Sequence, residues 1–193
     1  MNDTIDTEPN DNNALQGAFG DRGTNFNALN FSHPYAESII DRAKELLSES
    51  EAGKTLLGVQ RTQNAPIHVL KGDGESGYNP VSKVIYVPVP SKKNALDGKT
   101  FILFVKAIRA LDQELIGLET PDTSMDVLHY SARLHSKNVD CIIYACKVVS
   151  EMSSSKVFSN LLDALDGFGY SEIYRAYEKK ASVEEIMEIY SEG

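Results

Sequence analysis

Apolar residues recur three or four positions apart along most of the chain, which is the spacing of a helix face. Two such stretches, at about 34–49 and about 51–60, predict two helices near the start of the folded part. The stretch from about 100 to 116 predicts a third helix. Its first turns are apolar on every side, so we expect this helix to be buried centrally.

A longer apolar seam predicts a fourth helix, which runs from a capping segment at 121–124 to about Met152. The seam alternates steps of four and three residues through Leu128, Ala132, His135, Val139, Ile142, Cys146 and Val149. Ser182 and Glu185 form the pattern of a capping box, in which each residue caps the other's backbone N–H. Three further helices are predicted after the seam, at about 155–165, 171–180 and 182–191.

Strand-like sequence is confined to one region. Residues 66–70 are short and apolar, and residues 83–87 are rich in β-branched and aromatic side chains. Between them, residues 71–77 contain three glycines and favour a turn. We predict a hairpin over about 66–87 that ends at Pro88. The predicted fold class is α+β, predominantly helical, with a small β-hairpin or sheet.

The first thirty residues differ from the rest of the chain. Residues 1–30 are rich in Asn, Asp, Gly and Thr, with few large apolar side chains. Such a segment buries too little surface to offset the entropy lost on ordering. We therefore predict a disordered acidic tail at 1–30 and a single globular domain at 31–193. Five acidic residues and one arginine give the tail −4 of the formal net charge of −9.

Charge and cysteine content narrow the functional class. A net charge of −9 disfavours binding to nucleic acid or to anionic membranes. The sequence has neither an apolar run long enough to span a bilayer nor the features of a signal peptide. Cys141 and Cys146 lie five apart on one predicted helix, too far apart for a disulfide, and fit a reducing compartment. We expect a cytoplasmic protein; a secreted effector without a cleaved signal is the alternative.

Local fragments of known motifs are incomplete. Residues 53–55 read Gly-Lys-Thr, like the end of a phosphate-binding loop, but Ser48 stands where that loop needs its first glycine. We interpret this segment as an exposed bend between helices. Residues 71–77 lack the ligand pattern of a calcium loop. His129, His135, Asp140 and Cys141 have the side chains of metal ligands, but not the spacing of known ligand pairs.

The order of four segments carries a family resemblance. They read AGKTLLGVQRTQNAPIHVL, GYNPVSKVIYVP, LFVKAIRALDQEL and NVDCIIYACKVVSEM. Over about residues 50–152 the chain resembles bacterial zincin-like metallopeptidase domains. The resemblance implies a zincin-like helical body with a cleft beneath an edge strand. It also implies a helix with a His-Glu-x-x-His motif, in which two histidines hold zinc and the glutamate activates water.

The chain departs from that motif at every metal-binding position. Lys106 stands in place of the first histidine, Ala107 in place of the glutamate and Ala110 in place of the second histidine. Asn138 replaces the third ligand. The resemblance therefore implies a pseudoenzyme, a non-catalytic relative that acts as a binding or regulatory module. We expect no cofactor, an absence of zinc, and an unknown protein or peptide as partner.

The resemblance also implies which residues form the cleft. They are Tyr78, Lys106, Arg109, Gln113, His135, Asn138 and Asp140. We expect the Lys106 ammonium to occupy the space of the lost cation and to pair with Asp140. Two alternatives stay open. One is a small interaction protein or secreted effector that works through its acidic tail. The other is a hydrolase with a relocated site built from His129, His135, Asp140 or Cys141.

Overall fold

The computed structural model describes residues 32–90, 92–118 and 124–192, so the predicted tail at 1–30 lies outside the described residues. Within these residues the protein has seven helices and one three-stranded sheet, which confirms an α+β, predominantly helical fold. The strands are β1 Ile67–Lys71, β2 Gly77–Asn79 and β3 Val84–Val89. The helices are α1 Ala36–Leu47, α2 Glu51–Thr62, α3 Gly98–Leu115, α4 Val127–Glu151, α5 Phe158–Asp166, α6 Ser171–Glu178 and α7 Val183–Glu192.

Each predicted helix is present, and its ends differ from the prediction by three residues at most. Side-chain caps fix several of the starts, because the first N–H groups of a helix need acceptors. The Asp97 carboxylate accepts from the backbone N–H of Thr100 at 2.8 Å at the start of α3. Ser182 and Glu185 form the predicted capping box before α7. Helix α4 begins at Val127, after the predicted capping segment at 121–124, because the Asp126 carboxylate caps its first turn; residues 121–123 lie outside the described residues.

The predicted hairpin over 66–87 is wrong in its pairing. The two strong strands lie side by side, but β1 and β3 run parallel, and β2 pairs antiparallel with β3 on its other side. The glycine-rich segment 72–76 crosses the end of β3, where Gly72 N–H donates to the Val89 carbonyl at 2.9 Å. A local apolar pattern identifies strands but not their partners, and the three-residue β2 is too short to show in that pattern.

Strand β3 continues past Pro88, where the sequence predicted its end. Alternate residues of β3 bond to the segment of β1, as in the 2.9 Å bond from Ile85 N–H to the Pro66 carbonyl. Pro88 therefore turns its nitrogen to the other side of the strand. On that side β2 pairs no further along β3 than Tyr86. The missing N–H of the proline thus removes no ladder bond, which is the usual condition for proline in a strand.

Helix α3 lies at the centre of the domain, as predicted. It contacts α1, α2, α4 and α5, and the sheet through β2 and β3. Phe101, Phe104 and Ile108 are fully buried on it. Close approach to α5 requires Gly98, because a Cβ there would lie 2.5 Å from the Asn160 carbonyl oxygen. The centre of the fold is therefore a helix against which the sheet and the neighbouring helices pack.

The interpretation of residues 53–55 as an exposed bend between helices is wrong. These residues form the first turn of α2, and Gly53 is buried. A Cβ at Gly53 would lie 2.0 Å from the Leu47 carbonyl oxygen, so the glycine permits the close contact between α1 and α2. Ser50 caps this turn by accepting from Gly53 N–H at 2.9 Å.

The apolar seam of α4 is only half buried. Val139 and Val149 are in the core, together with the seam residues between them. Towards the start of the helix, Leu128 is 81% exposed and its neighbour Val127 is 82% exposed. Helical periodicity locates a face of a helix but does not show how far along that face a partner extends.

Candidate functional site

A cavity of about 190 Å³ lies between β2, α3 and α4. Polar side chains converge on it from the sheet and from both helices. They include Tyr78, Tyr86, Lys106, Gln113, Lys137 and Asn138. A wider depression of about 570 Å³ between α6 and α7 is lined mainly by surface side chains of both charge signs and contains none of the predicted site residues. The smaller cavity, with buried groups from three elements, is therefore the candidate functional site.

The structure brings four of the seven predicted cleft residues to this cavity. Tyr78, Lys106, Gln113 and Asn138 line it. The other three, Arg109, His135 and Asp140, are described residues but do not line it. His135 lies against α7, with its ring 4.7 Å from that of Tyr190 and its Nε2 3.3 Å from Ser191 Oγ. The alternating seam placed His135 on the correct helix, but on a part of it that contacts the C-terminal helix.

Arg109 joins α3 to α4 instead of facing the cavity. Its Nε donates to Asp140 Oδ2 at 2.7 Å and its Nη2 donates to Asp140 Oδ1 at 3.0 Å. Asp112 binds the remaining side of the guanidinium. Burial lowers the pKa of Arg109, but Asp140 and Asp112 outweigh it and raise the pKa above its ordinary value. A two-pronged pair of this geometry is among the strong side-chain contacts in proteins.

Gln113 completes the same network from the cavity side. Its Nε2 donates to Asp140 Oδ2 at 2.7 Å and to the Lys137 carbonyl at 2.9 Å. Asp140 therefore receives hydrogen bonds from Arg109 and Gln113, and the predicted pair between Lys106 and Asp140 is wrong. The network fixes the spacing of α3 and α4, and so sets the width of the cavity between them.

Lys106 is a buried cation in the cavity wall, only 6% exposed. Its Nζ donates to the Tyr170 hydroxyl at 3.1 Å and to Glu75 Oε2 at 3.4 Å, and it lies 5.4 Å from the centre of the Tyr170 ring. Burial lowers the pKa of Lys106, but Tyr170 and Glu75 raise it more, so its pKa lies above the ordinary value. The ammonium is therefore charged at neutral pH.

Sequence reasoning missed Glu75, Tyr86 and Tyr170. Tyr170 reaches Lys106 from a distant segment and leaves no local signal. Glu75 belongs to the glycine-rich segment after β1, which was interpreted as a plain turn. Tyr86 lies opposite Gly77 on the neighbouring strand, and a Cβ at Gly77 would lie 2.7 Å from the tyrosine hydroxyl oxygen. The glycine at this position of β2 is therefore a sequence signal that could have pointed to Tyr86. A glycine opposite an aromatic residue on a neighbouring strand leaves room for the ring.

The residues of the alternative hydrolase site do not meet. Cys141 lines the cavity, but burial raises its pKa to about 12, so it is present as an unreactive thiol. His129 is exposed beside Asp126, and His135 lies against α7. Across residues 32–90, 92–118 and 124–192, no group of three or more His, Cys, Asp or Glu side chains is arranged to hold a metal ion.

Comparison with models of known families, with characterised proteins and with solved structures found no match to the chain. In the part of the chain that the structure describes, none of the helices combines the length and the apolar character needed to cross a membrane.

Proposed function

We propose that the protein is a non-catalytic binding module, related to zincin-like metallopeptidase domains, whose ligand occupies the cavity between β2, α3 and α4. One observation carries the proposal. Lys106, Ala110 and Asn138 stand where the resemblance places the metal ligands, and all three line this cavity. Lys106 and Ala110 are four residues apart on α3 and so share one helix face. Their convergence with Asn138 from α4 supports the resemblance.

The chemistry of these three side chains supports binding over catalysis. An alanine has no group that binds a metal, and an ammonium repels one. Ala107, in place of the glutamate, is fully buried and has no group that activates water. Around them, the hydroxyl group of Tyr78 and the amide group of Asn138 offer hydrogen bonds. A cavity with a few converging polar groups is suited to recognition, and the Cys141 thiol in its wall is unreactive because burial raises its pKa to about 12.

The experiment is protein-observed NMR with a panel of acetylated tripeptide amides. We expect binding peptides to shift the amide signals of cavity-lining residues in β2, α3 and α4. Ala110→Leu adds three carbons inside the cavity while keeping a good helix former, so it should abolish these shifts. Ala132→Leu is the matched control, because Ala132 is exposed on α4. It should bind as the natural chain does.

Three results would overturn the proposal: shifts that map elsewhere, shifts that survive Ala110→Leu, or cleavage of the peptides that stops on chelation. The same preparation answers the question of zinc. We expect substoichiometric zinc in tag-free protein purified without chelators, whereas one equivalent lost on replacing His135 or Cys141 would favour a relocated metal site.

A further inference from the structure

Lys106 is buried, but its closest contact is not with a counter-charge. Its nearest oxygen, at 3.1 Å, belongs to the neutral hydroxyl of Tyr170. The carboxylate of Glu75 lies farther away, at 3.4 Å, whereas charge-assisted bonds are commonly about 2.7–2.9 Å long. An ammonium taken out of water loses several kcal/mol of hydration, which a close counter-charge normally offsets. Arg109, one turn along the same helix, has such counter-charges in Asp140 and Asp112.

Glu75 is a weakly held counter-charge. Its side chain is 82% exposed, although the lysine that it faces is buried. An exposed carboxylate gains only about 0–1 kcal/mol from such a pair, so water or another anion competes with it readily. The segment that carries it contains Gly72 and Gly74, both at positive φ, and glycine restricts the backbone less than any other residue. Ser76 is fixed, because its hydroxyl donates to the Leu103 carbonyl of α3 at 2.7 Å.

The charges around the cavity indicate what would replace Glu75. Among the described residues, the charged side chains that line the cavity are Lys106, Lys137, Glu75 and Glu114. Lys137 Nζ lies 2.7 Å from Glu114 and 3.2 Å from the Leu118 carbonyl, so that pair is neutral by itself. When Glu75 turns out to solvent, one positive charge is left. That charge matches a monoanion better than a dianion such as phosphate.

We infer that the cavity binds a carboxylate-bearing ligand, whose carboxylate takes the place of Glu75 on the Lys106 ammonium. This inference rests on the proposed binding function and names its ligand class. Glu75 itself shows that a carboxylate on an aliphatic stem reaches the ammonium. The Tyr170 hydroxyl lies beside the same ammonium, and Tyr78 and Asn138 line the wall. A volume of about 190 Å³ suits a group the size of one side chain.

The test titrates the full chain with five probes, followed by NMR. Acetate and butyrate represent free monocarboxylates, and acetyl-Ala-Glu-Ala-amide represents a carboxylate on a peptide. The matching glutamine peptide removes only the charge, and inorganic phosphate at equal ionic strength reports general anion binding. We expect at least one carboxylate probe to shift the signals of the lining residues. Binding of the glutamate peptide without the free acids would identify a peptide ligand, and the reverse pattern a small acid.

Substitutions test whether the carboxylate of the ligand replaces that of Glu75 on Lys106. Glu75→Gln removes the internal competitor, so affinity for the carboxylate probe should rise by up to about fivefold, the equivalent of an exposed ion pair. Asp73→Asn makes the same charge change at an exposed position of the same segment and should leave affinity unchanged. Lys106→Met should abolish binding. Glu75 and Asp73 are both exposed, so their variants keep the test valid if the lysine variant folds poorly.

The results of these titrations distinguish the inference of a carboxylate ligand from the proposal that the protein is a binding module. Equal binding of the glutamate and glutamine peptides in the cavity, or unchanged affinity in Glu75→Gln and Lys106→Met, would leave a binding module that does not recognise carboxylates. Phosphate binding as tight as that of the carboxylates would mean a general anion site and would overturn the ligand class. No shift in the cavity with any of these probes or with the neutral peptide panel would overturn both.

Discussion

Two basic residues on one helix should respond to very different extents to the same substitution. Lys106 and Arg109 are three residues apart on α3, and methionine keeps an unbranched apolar stem at either position while removing the charge. Arg109 is paired with Asp140 and Asp112 in the interface with α4. Lys106 faces a hydroxyl and an exposed carboxylate. The pair of variants therefore compares a structural cation with one that we assign to ligand binding.

The expected change in the free energy of unfolding follows from the contacts that each side chain makes. Removing Arg109 leaves two neighbouring carboxylates without their counter-charge in a partly buried interface, which costs about 3–5 kcal/mol. For Lys106, the bond to Tyr170 contributes about 1.5–3 kcal/mol and the exposed Glu75 about 0–1 kcal/mol. Against these, the ammonium loses several kcal/mol of hydration on burial. Because the pKa of Lys106 lies above its ordinary value, these contacts offset the lost hydration, and we expect Lys106→Met to change the free energy of unfolding by no more than about 1 kcal/mol.

Urea unfolding followed by far-UV circular dichroism measures both variants, with thermal unfolding as a second readout. For a domain of this size, 3–5 kcal/mol corresponds to a fall in the melting temperature of roughly 10 °C for Arg109→Met. Lys106→Met should melt within about 3 °C of the natural chain. A Lys106→Met variant destabilised as much as Arg109→Met would refute the reasoning, because the ammonium would then be stabilising the fold.

The remaining predictions concern packing and pH. Gly98→Ala should lower the free energy of unfolding by about 1–3 kcal/mol, because its Cβ meets the Asn160 carbonyl. Gly58→Ala should raise the free energy of unfolding by up to about 1 kcal/mol, because no atom lies within 4 Å of its Cβ. Urea unfolding measures both variants, and a change of the same sign in both would contradict the close contact at Gly98. Burial raises the pKa of Cys141 and Cys146 from 9.0 to about 12, so the folded chain keeps protons that the unfolded chain releases. This contribution to the free energy of unfolding is present in full below about pH 9 and is lost as the pH rises through about 12. Urea unfolding across this pH range should show a weaker pH dependence when both cysteines are replaced with alanine.

Helices could be predicted from the sequence because their signals are local. The capping box at Ser182 and Glu185 lies within one turn, and the spacing of apolar residues on α3 repeats within a few turns. The pairing of strands is not local. The residues of β1 and β3 have a strand composition whichever direction they pair, and the parallel arrangement depends on β2, which is three residues long.

Part of the lining of the candidate cavity was expected, and the pairing of its charged residues was not. Lys106 and Asn138 were assigned to one cleft, and both line the cavity. The partner of Lys106 was predicted wrongly, because pairing between charged residues depends on distances that the sequence does not contain. Asp140 lies nearer to Arg109, and an exposed glutamate from a distant segment faces Lys106.

The two halves of helix α4 should differ in how their backbone amide hydrogens exchange with solvent. Its C-terminal half is anchored by buried residues such as Val139 and Val149, whereas its first turns carry the exposed side chains of Val127 and Leu128. Backbone amides in the first turns are therefore held by the helix's own hydrogen bonds and by the cap at Asp126. They should exchange by local fraying, while those of the buried half should exchange only when the core opens. A single unbroken helix thus contains two levels of protection against exchange.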